Sequence, residues 1–132
     1  METKVLYIED NPLNMRLVRK ILQKVGHTVI EAVDGNSGLK AVEQFEPDLI
    51  LLDVNLPDID GLDIARRLKA MPHLRHIPII ALTANTMYGD RERCLVAGCD
   101  DYIAKPVGCR ELINAVQYFV SDETAHQELA KA

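Results

Sequence analysis

The amino-acid sequence predicts an α/β fold built on an open parallel sheet. Three observations carry this expectation. Short β-branched apolar runs alternate with longer stretches of helical periodicity along the whole chain. The first, third and fourth of those runs (VLYI, LILL, IPIIAL) are almost continuously apolar, as a strand must be when both faces of its sheet are covered. The βα units recur every 20–30 residues, which implies right-handed crossovers between parallel neighbours. A chain of 132 residues fits one domain of this kind and leaves no room for a second.

Five strands and five helices follow in order. The first strand runs from Lys4 to Ile8. In the helix after it, Met15, Val18, Leu22 and Val25 share one face, while Arg16, Arg19 and Lys20 leave by others. Gly26 is placed to close that helix. The second strand spans Thr28 to Ala32, Asp34-Gly35 marks a turn, and Pro47 ends the second helix. The third strand, Asp48 to Asp53, leads to a helix with Leu62, Ala65 and Leu68 on one face. The fourth strand covers Ile77 to Leu82, and the helix after it, Tyr88 to Ala97, has the weakest amphipathic pattern and stops at Gly98. The fifth strand is Asp100 to Ala104, and the last helix carries Leu112, Val116 and Phe119. Beyond Val120 the chain turns polar (SDETAHQELAKA), as an extension of that helix or a frayed tail.

Composition removes several functional classes. The net charge is −5 and the isoelectric point about 5.3, the wrong sign for a surface that binds nucleic-acid phosphates. No apolar run approaches the ~18 residues of a membrane span. Met1 to Lys4 lead straight into a strand, without the pattern of a secretory signal, so the expectation is a natural start and a cytoplasmic protein. Cys94, Cys99 and Cys109 are odd in number and lack metal-binding spacing, so they are expected to be reduced packing groups.

In a parallel α/β sheet, chemistry gathers at the carboxyl ends of the strands. Strand one ends in Glu9-Asp10, strand three in Asp53, strand four in Thr83-Ala84 and strand five in Lys105-Pro106. Three carboxylates together would raise one another's proton affinity unless cations balance them. Short oxygen ligands suit a hard divalent ion, Mg²⁺ first and Mn²⁺ as an alternative. With Lys105 as a second cation and the Thr83 hydroxyl as a donor, the edge is suited to receive a phosphoryl group. Asp53, the single acid after the most apolar strand, is the expected acceptor. Glu9 and Asp10 are the expected metal ligands, joined by the Asn55 carbonyl.

These residues resemble the receiver domain of two-component response regulators. The matching pieces are Glu9-Asp10, Asp53 with Pro57 and Gly61, Thr83-Ala84, and the run AGCDDYIAKP from Ala97 to Pro106. The likeness runs from residue 4 to about 120, giving a receiver over 1–120 and a polar tail over 121–132 with no output domain. It implies a flavodoxin-like (CheY-like), doubly wound sheet of order 2-1-3-4-5 with helices on both faces. It further implies that Asp53 is phosphorylated from a phosphohistidine, on a sensor histidine kinase or a histidine phosphotransfer protein. Glu9, Asp10, Asp53 and the Asn55 carbonyl would hold Mg²⁺, and Lys105 would bind the phosphoryl group. Thr83 and Tyr102 would form a switch, Lys105-Pro106 a cis peptide, and helix four, strand five and helix five the face that meets a downstream protein. Such a chain catalyses its own phosphorylation and dephosphorylation, and is not an enzyme acting on a separate substrate.

Departures are small. The acidic pair is Glu-Asp where Asp-Asp is frequent, and Leu56 stands where many members have Met. The start IEDNPLN resembles receivers of hybrid histidine kinases and, more closely, the DivK type of single-domain regulator. Asn55 and Asn85 occupy positions that tune dephosphorylation in the family. His73 and His76 are expected to be exposed loop residues, and Arg91, Arg93 and Arg110 either a solvated face or the border of a partner surface. Three competing readings are a receiver cut from a hybrid kinase, an FMN-binding electron carrier and an aspartate-nucleophile phosphatase. The electron carrier would need phosphate-binding donors where this chain has EDNPLN. The phosphatase would need a second Asp at the position of Asn55.

Overall fold

The computed structural model describes residues 3–84 and 90–131, with the side chains of Asp90 and of residues 121–131 outside the description. Five βα units follow one another: β1 (Lys4–Ile8), α1 (Pro12–Lys24), β2 (Thr28–Ala32), α2 (Gly35–Phe45), β3 (Leu49–Asp53), α3 (Gly61–Ala70), β4 (Ile79–Thr83), α4 (Asp90–Val96), β5 (Asp101–Ala104) and α5 (Cys109–Lys131). The strands form one sheet in the order β2-β1-β3-β4-β5, every neighbouring pair parallel.

Strand alternation sorts the core into two layers. Leu6, Ile8, Ile50, Leu52, Ile79 and Ala81 face one way and pack with Val42 of α2, Leu62 and Leu68 of α3 and Cys94 of α4. Val5, Tyr7, Leu49, Leu51, Ile80 and Leu82 face the other way, onto Met15, Val18 and Leu22 of α1 and Leu112 and Val116 of α5. All five residues of β3 and of β4 are buried, because helices cover the sheet on both sides there. That is why these strands read as unbroken apolar runs.

The boundaries shift for local reasons. β4 starts at Ile79, two residues later than the sequence predicts, since Ile77 gives its N–H to Leu74 in the preceding turn and Pro78 has none to give. It extends to Thr83. β5 starts at Asp101 because Asp100 closes the loop instead, its Oδ2 taking the Ile79 N–H at 2.8 Å and the Lys69 ammonium at 3.0 Å. α4 lies inside the expected Tyr88–Ala97 span, and Tyr88 lies outside the described residues. The polar segment continues α5 to Lys131. Cys94 and Cys99 are buried packing groups as expected, but Cys109 is exposed, because it opens α5 on the solvent side. Among the described residues no helix is long and apolar enough to cross a membrane.

At the opposite end of the sheet from the strand C-termini, His27 enters β2 after Gly26, whose φ of 94° turns the chain. Its Nε2 is buried without a hydrogen-bond partner among the described residues, and burial holds its pKa below the usual histidine value. The unfolded chain therefore binds the proton more readily, so stability falls as pH drops through the ordinary histidine range near ~6.5. Urea midpoints at neutral and mildly acidic pH should differ more for the parent than for His27→Leu. Equal shifts in both proteins would show that another group is responsible.

Candidate functional site

The carboxyl edge of the sheet is assembled by backbone connections that the local sequence dictates. After β1, Glu9 gives its N–H to Ala32 at 2.9 Å, which carries the strand direction one residue further. Asn11 then caps α1, its side chain accepting from Leu13 and Asn14, and Pro12 occupies the first turn where no N–H is needed. The segment EDNPLN is thus an acidic pair followed by a helix start. After β3, Val54 gives its N–H to Leu82 and its carbonyl accepts from Gly61, folding the loop back beside Asp53. After β5, the Lys105 N–H reaches the Thr83 carbonyl at 2.8 Å, so Lys105 is placed by the end of β4. The Lys105–Pro106 peptide is cis.

Glu9, Asp53 and Thr83 are buried at this edge, with 1%, 3% and 1% of their surface exposed, and Asp10 is open to solvent. Glu9, Asp10 and Asp53 each offer an oxygen within 4.8 Å of the others. Lys105 Nζ lies 2.9 Å from Glu9 Oε1 and 3.3 Å from Asp53 Oδ1, bridging the two buried acids. Asp53 Oδ1 also accepts the Asn55 N–H at 3.1 Å. Three carboxylates, two of them buried, against the Lys105 ammonium leave an excess of negative charge, and the donors are all hard oxygens. The set fits a divalent cation such as Mg²⁺.

The electrostatics express the same crowding. Burial pushes Asp53 up to about 7, and the neighbouring Glu9 adds to the rise. Burial also opposes ionisation of Glu9, but hydrogen bonds from Asp53, Lys105 and Tyr7 outweigh it and bring Glu9 down to about 2. The two buried acids titrate as a pair, in which Asp53 is the weaker acid. Lys105 is raised: burial works against its charge, and Glu9 and Asp53 more than offset that.

Five expected site residues (Glu9, Asp10, Asp53, Thr83, Lys105) thus meet at one edge. Asn55 is exposed and meets Asp53 through its backbone N–H. Tyr102 is half-buried against the layer of α2, α3 and α4. A cleft of about 430 Å³ opens here, lined by Asp10, Asn55, Leu56, Pro57, Thr83 and Arg93 among others. Arg91 and Arg110 are exposed, and Asn85 lies outside the described residues. His73 and His76 are exposed as expected, and His73 pairs with Glu43 at 3.2 Å.

Two participants escaped the sequence reading. The Tyr7 hydroxyl donates to Glu9 Oε1 at 2.9 Å. The signal was available, since residues two apart on a strand share a face. Asp58 accepts the Gly35 and Asn36 N–H groups at 2.7 and 2.9 Å, tying the loop after β3 to the first turn of α2. Those backbone donors hold its carboxyl below the usual value. Nothing in the spacing of Asp58 announces that contact, which joins positions far apart in sequence.

Comparison with known proteins agrees with this geometry. Residues 5–117 match the family model of the response regulator receiver domain. The polar-differentiation response regulator DivK of Brucella anthropi is 39% identical over 122 residues, which are 92% of this chain and 99% of that protein. Among solved structures, the receiver domain of a sensor histidine kinase from Pseudomonas aeruginosa, with a magnesium ion coordinated in its active-site cleft, superposes with a TM-score of 0.84 at 39% identity, covering 92% of this chain and 99% of that one. The chemotaxis response regulator CheY4 of Vibrio cholerae gives 0.85 at 25% identity, covering 90% and 99%. By fold, by the residues at its strand ends and by sequence match, the chain belongs to the response regulator receiver domain family.

Proposed function

We propose that this chain is a Mg²⁺-dependent phosphorelay regulator that takes a phosphoryl group onto Asp53 from the phosphohistidine of a sensor histidine kinase or a histidine phosphotransfer protein. The observation that carries the reading is the Lys105 ammonium spanning Glu9 and Asp53 beside three converging carboxylates. A carboxylate oxygen of Asp53 attacks phosphorus as the bond to the imidazole nitrogen breaks, and the imidazole departs with that electron pair. Glu9, Asp10, Asp53 and the Asn55 carbonyl would hold the cation, which would supply neutralising charge at this edge. Lys105 moves onto another of those oxygens, and the Asn55 N–H keeps the Asp53 carboxyl oriented. In this reading the protein catalyses its own phosphorylation and hydrolysis.

Output follows from the same edge. Thr83 turns its hydroxyl toward the phosphoryl group, and half-buried Tyr102 repacks behind it, biasing a two-state surface. The face of α4, β5 and α5 carries the output in this reading, and exposed apolar side chains occur on both helices: Leu95 and Val96 on α4 are 42% and 84% exposed, and Tyr118 on α5 is 61% exposed. The DivK likeness supports a cytoplasmic regulator that signals through its own surface.

Intact-mass measurement after incubation with acetyl phosphate tests the reading. A single phosphoryl adduct should form with Mg²⁺ and be absent with a chelator. Asp10→Ala should lose adduct formation and Mg²⁺ binding together. An adduct that forms equally well in chelator would refute the cation's part.

A further inference from the structure

We infer that Tyr7 is a positioning residue for the cation site: its hydroxyl pins Glu9 in place while Lys105 is released to a phosphoryl group. The inference rests on the function proposed above and concerns how this chain carries it out. Tyr7 is completely buried in the layer formed with α1 and α5, among Val5, Met15, Val18, Leu22 and Leu82. A phenylalanine would fill that space equally well, and an unbonded hydroxyl there would be costly. The hydroxyl has an acceptor, Glu9 Oε1, at 2.9 Å.

The same oxygen receives Lys105 Nζ at 2.9 Å, whereas Oε2 accepts the Asn11 N–H at the long distance of 3.4 Å. With Oε1 taken by two donors, Oε2 keeps the acceptor capacity that a cation needs. The two donors differ in permanence. Lys105 is shared with Asp53 at 3.3 Å, so a phosphoryl group arriving on Asp53 competes for it. The Tyr7 hydroxyl is carried by a ring fixed in the core, so it stays within reach of Glu9 when Lys105 moves. Glutamate has one more rotatable bond than aspartate, and a second anchor restricts it. A hydrogen bond from the surrounding shell to a metal-binding carboxylate typically matters by 10–100-fold in affinity.

Calorimetric titration with Mg²⁺ alone, without phosphoryl donor, tests this. Tyr7→Phe should fold as the parent does by circular dichroism and bind Mg²⁺ about tenfold more weakly. In phosphorylation by acetyl phosphate it should need about tenfold more Mg²⁺ for half-maximal rate and approach the parent rate at saturation. In a Glu9→Asp background, where the shorter acid draws back from the hydroxyl, Tyr7→Phe should change affinity by less than about twofold. Equal Mg²⁺ affinity in parent and Tyr7→Phe would overturn the inference, and so would an equal loss in both backgrounds. A parent that binds no Mg²⁺ and takes no phosphoryl group would instead overturn the function proposed above, and this inference with it.

Discussion

Replacing Lys105 with methionine should slow phosphorylation by acetyl phosphate by about 10²–10³-fold, the usual consequence of removing one preorganised charge-stabilising group from a reaction centre. The side chain keeps its length and most of its apolar stem, so what is lost is the ammonium that lies 2.9 Å from Glu9 and 3.3 Å from Asp53. Two consequences can be separated. In the resting protein, Glu9 and Asp53 face each other without their shared cation, which raises the proton affinity of the pair. During transfer, one phosphoryl oxygen loses its partner. Mg²⁺ can offset the first effect by supplying charge but cannot replace the second, since in the proposed mechanism Lys105 binds a different oxygen. The expected result is therefore a reduced rate that saturating Mg²⁺ does not restore, followed by intact mass over time. Full restoration would mean that Lys105 acts only by balancing the resting site.

Gly61→Ala should cost about 1–3 kcal/mol of stability and also impair the site. For a chain of this size that is a fall in Tm of roughly 5–10 °C. Gly61 begins α3, where helix propensity would favour alanine by at most about 1 kcal/mol. Sterics decide the sign. A Cβ there would lie 2.5 Å from the Asp53 carbonyl oxygen and 2.7 Å from the Val54 Cα, and both are backbone atoms that no side-chain rotation can move aside. Relief requires shifting the loop that carries Asp53, so slower phosphorylation should accompany the loss of Tm. Gly26→Ala is the contrasting case. Among the described residues nothing lies within 4 Å of its Cβ, and the φ of 94° penalises it by about 1–2 kcal/mol. It should lower Tm and leave phosphorylation intact. If Gly61→Ala kept both properties, the packing of the β3–α3 loop against Asp53 would be misassigned.

The fold was readable because burial on both faces writes itself directly into composition: Leu49 to Leu52 and Ile79 to Leu82 are apolar throughout and fully covered. The convergence of Glu9, Asp10, Asp53, Thr83 and Lys105 was readable because a parallel sheet brings all its strand ends to one edge. What was hidden belongs to three-dimensional packing. Tyr7 scores as one more apolar residue in a buried strand, and only the direction of its hydroxyl reveals the link to Glu9. Asp58 sits in an acidic loop like any solvated residue, yet it caps the N–H groups of a helix 22 and 23 positions away. His27 follows a turn glycine, and nothing in that pattern discloses that its Nε2 is buried without a hydrogen-bond partner among the described residues. Cys109 looked like its two siblings, but helix α5 starts on the solvent side.

The central claim is that Asp53 carries the phosphoryl group. Borohydride reduces an aspartyl phosphate to homoserine and leaves free carboxylates untouched, so the acceptor can be located after labelling with acetyl phosphate and Mg²⁺. Fragmentation of the peptide that contains Leu49 to Asn55 should place homoserine at position 53, and Asp53→Asn should yield none anywhere in the chain. Homoserine at position 10, or an undiminished phosphoryl adduct in Asp53→Asn, would contradict the account.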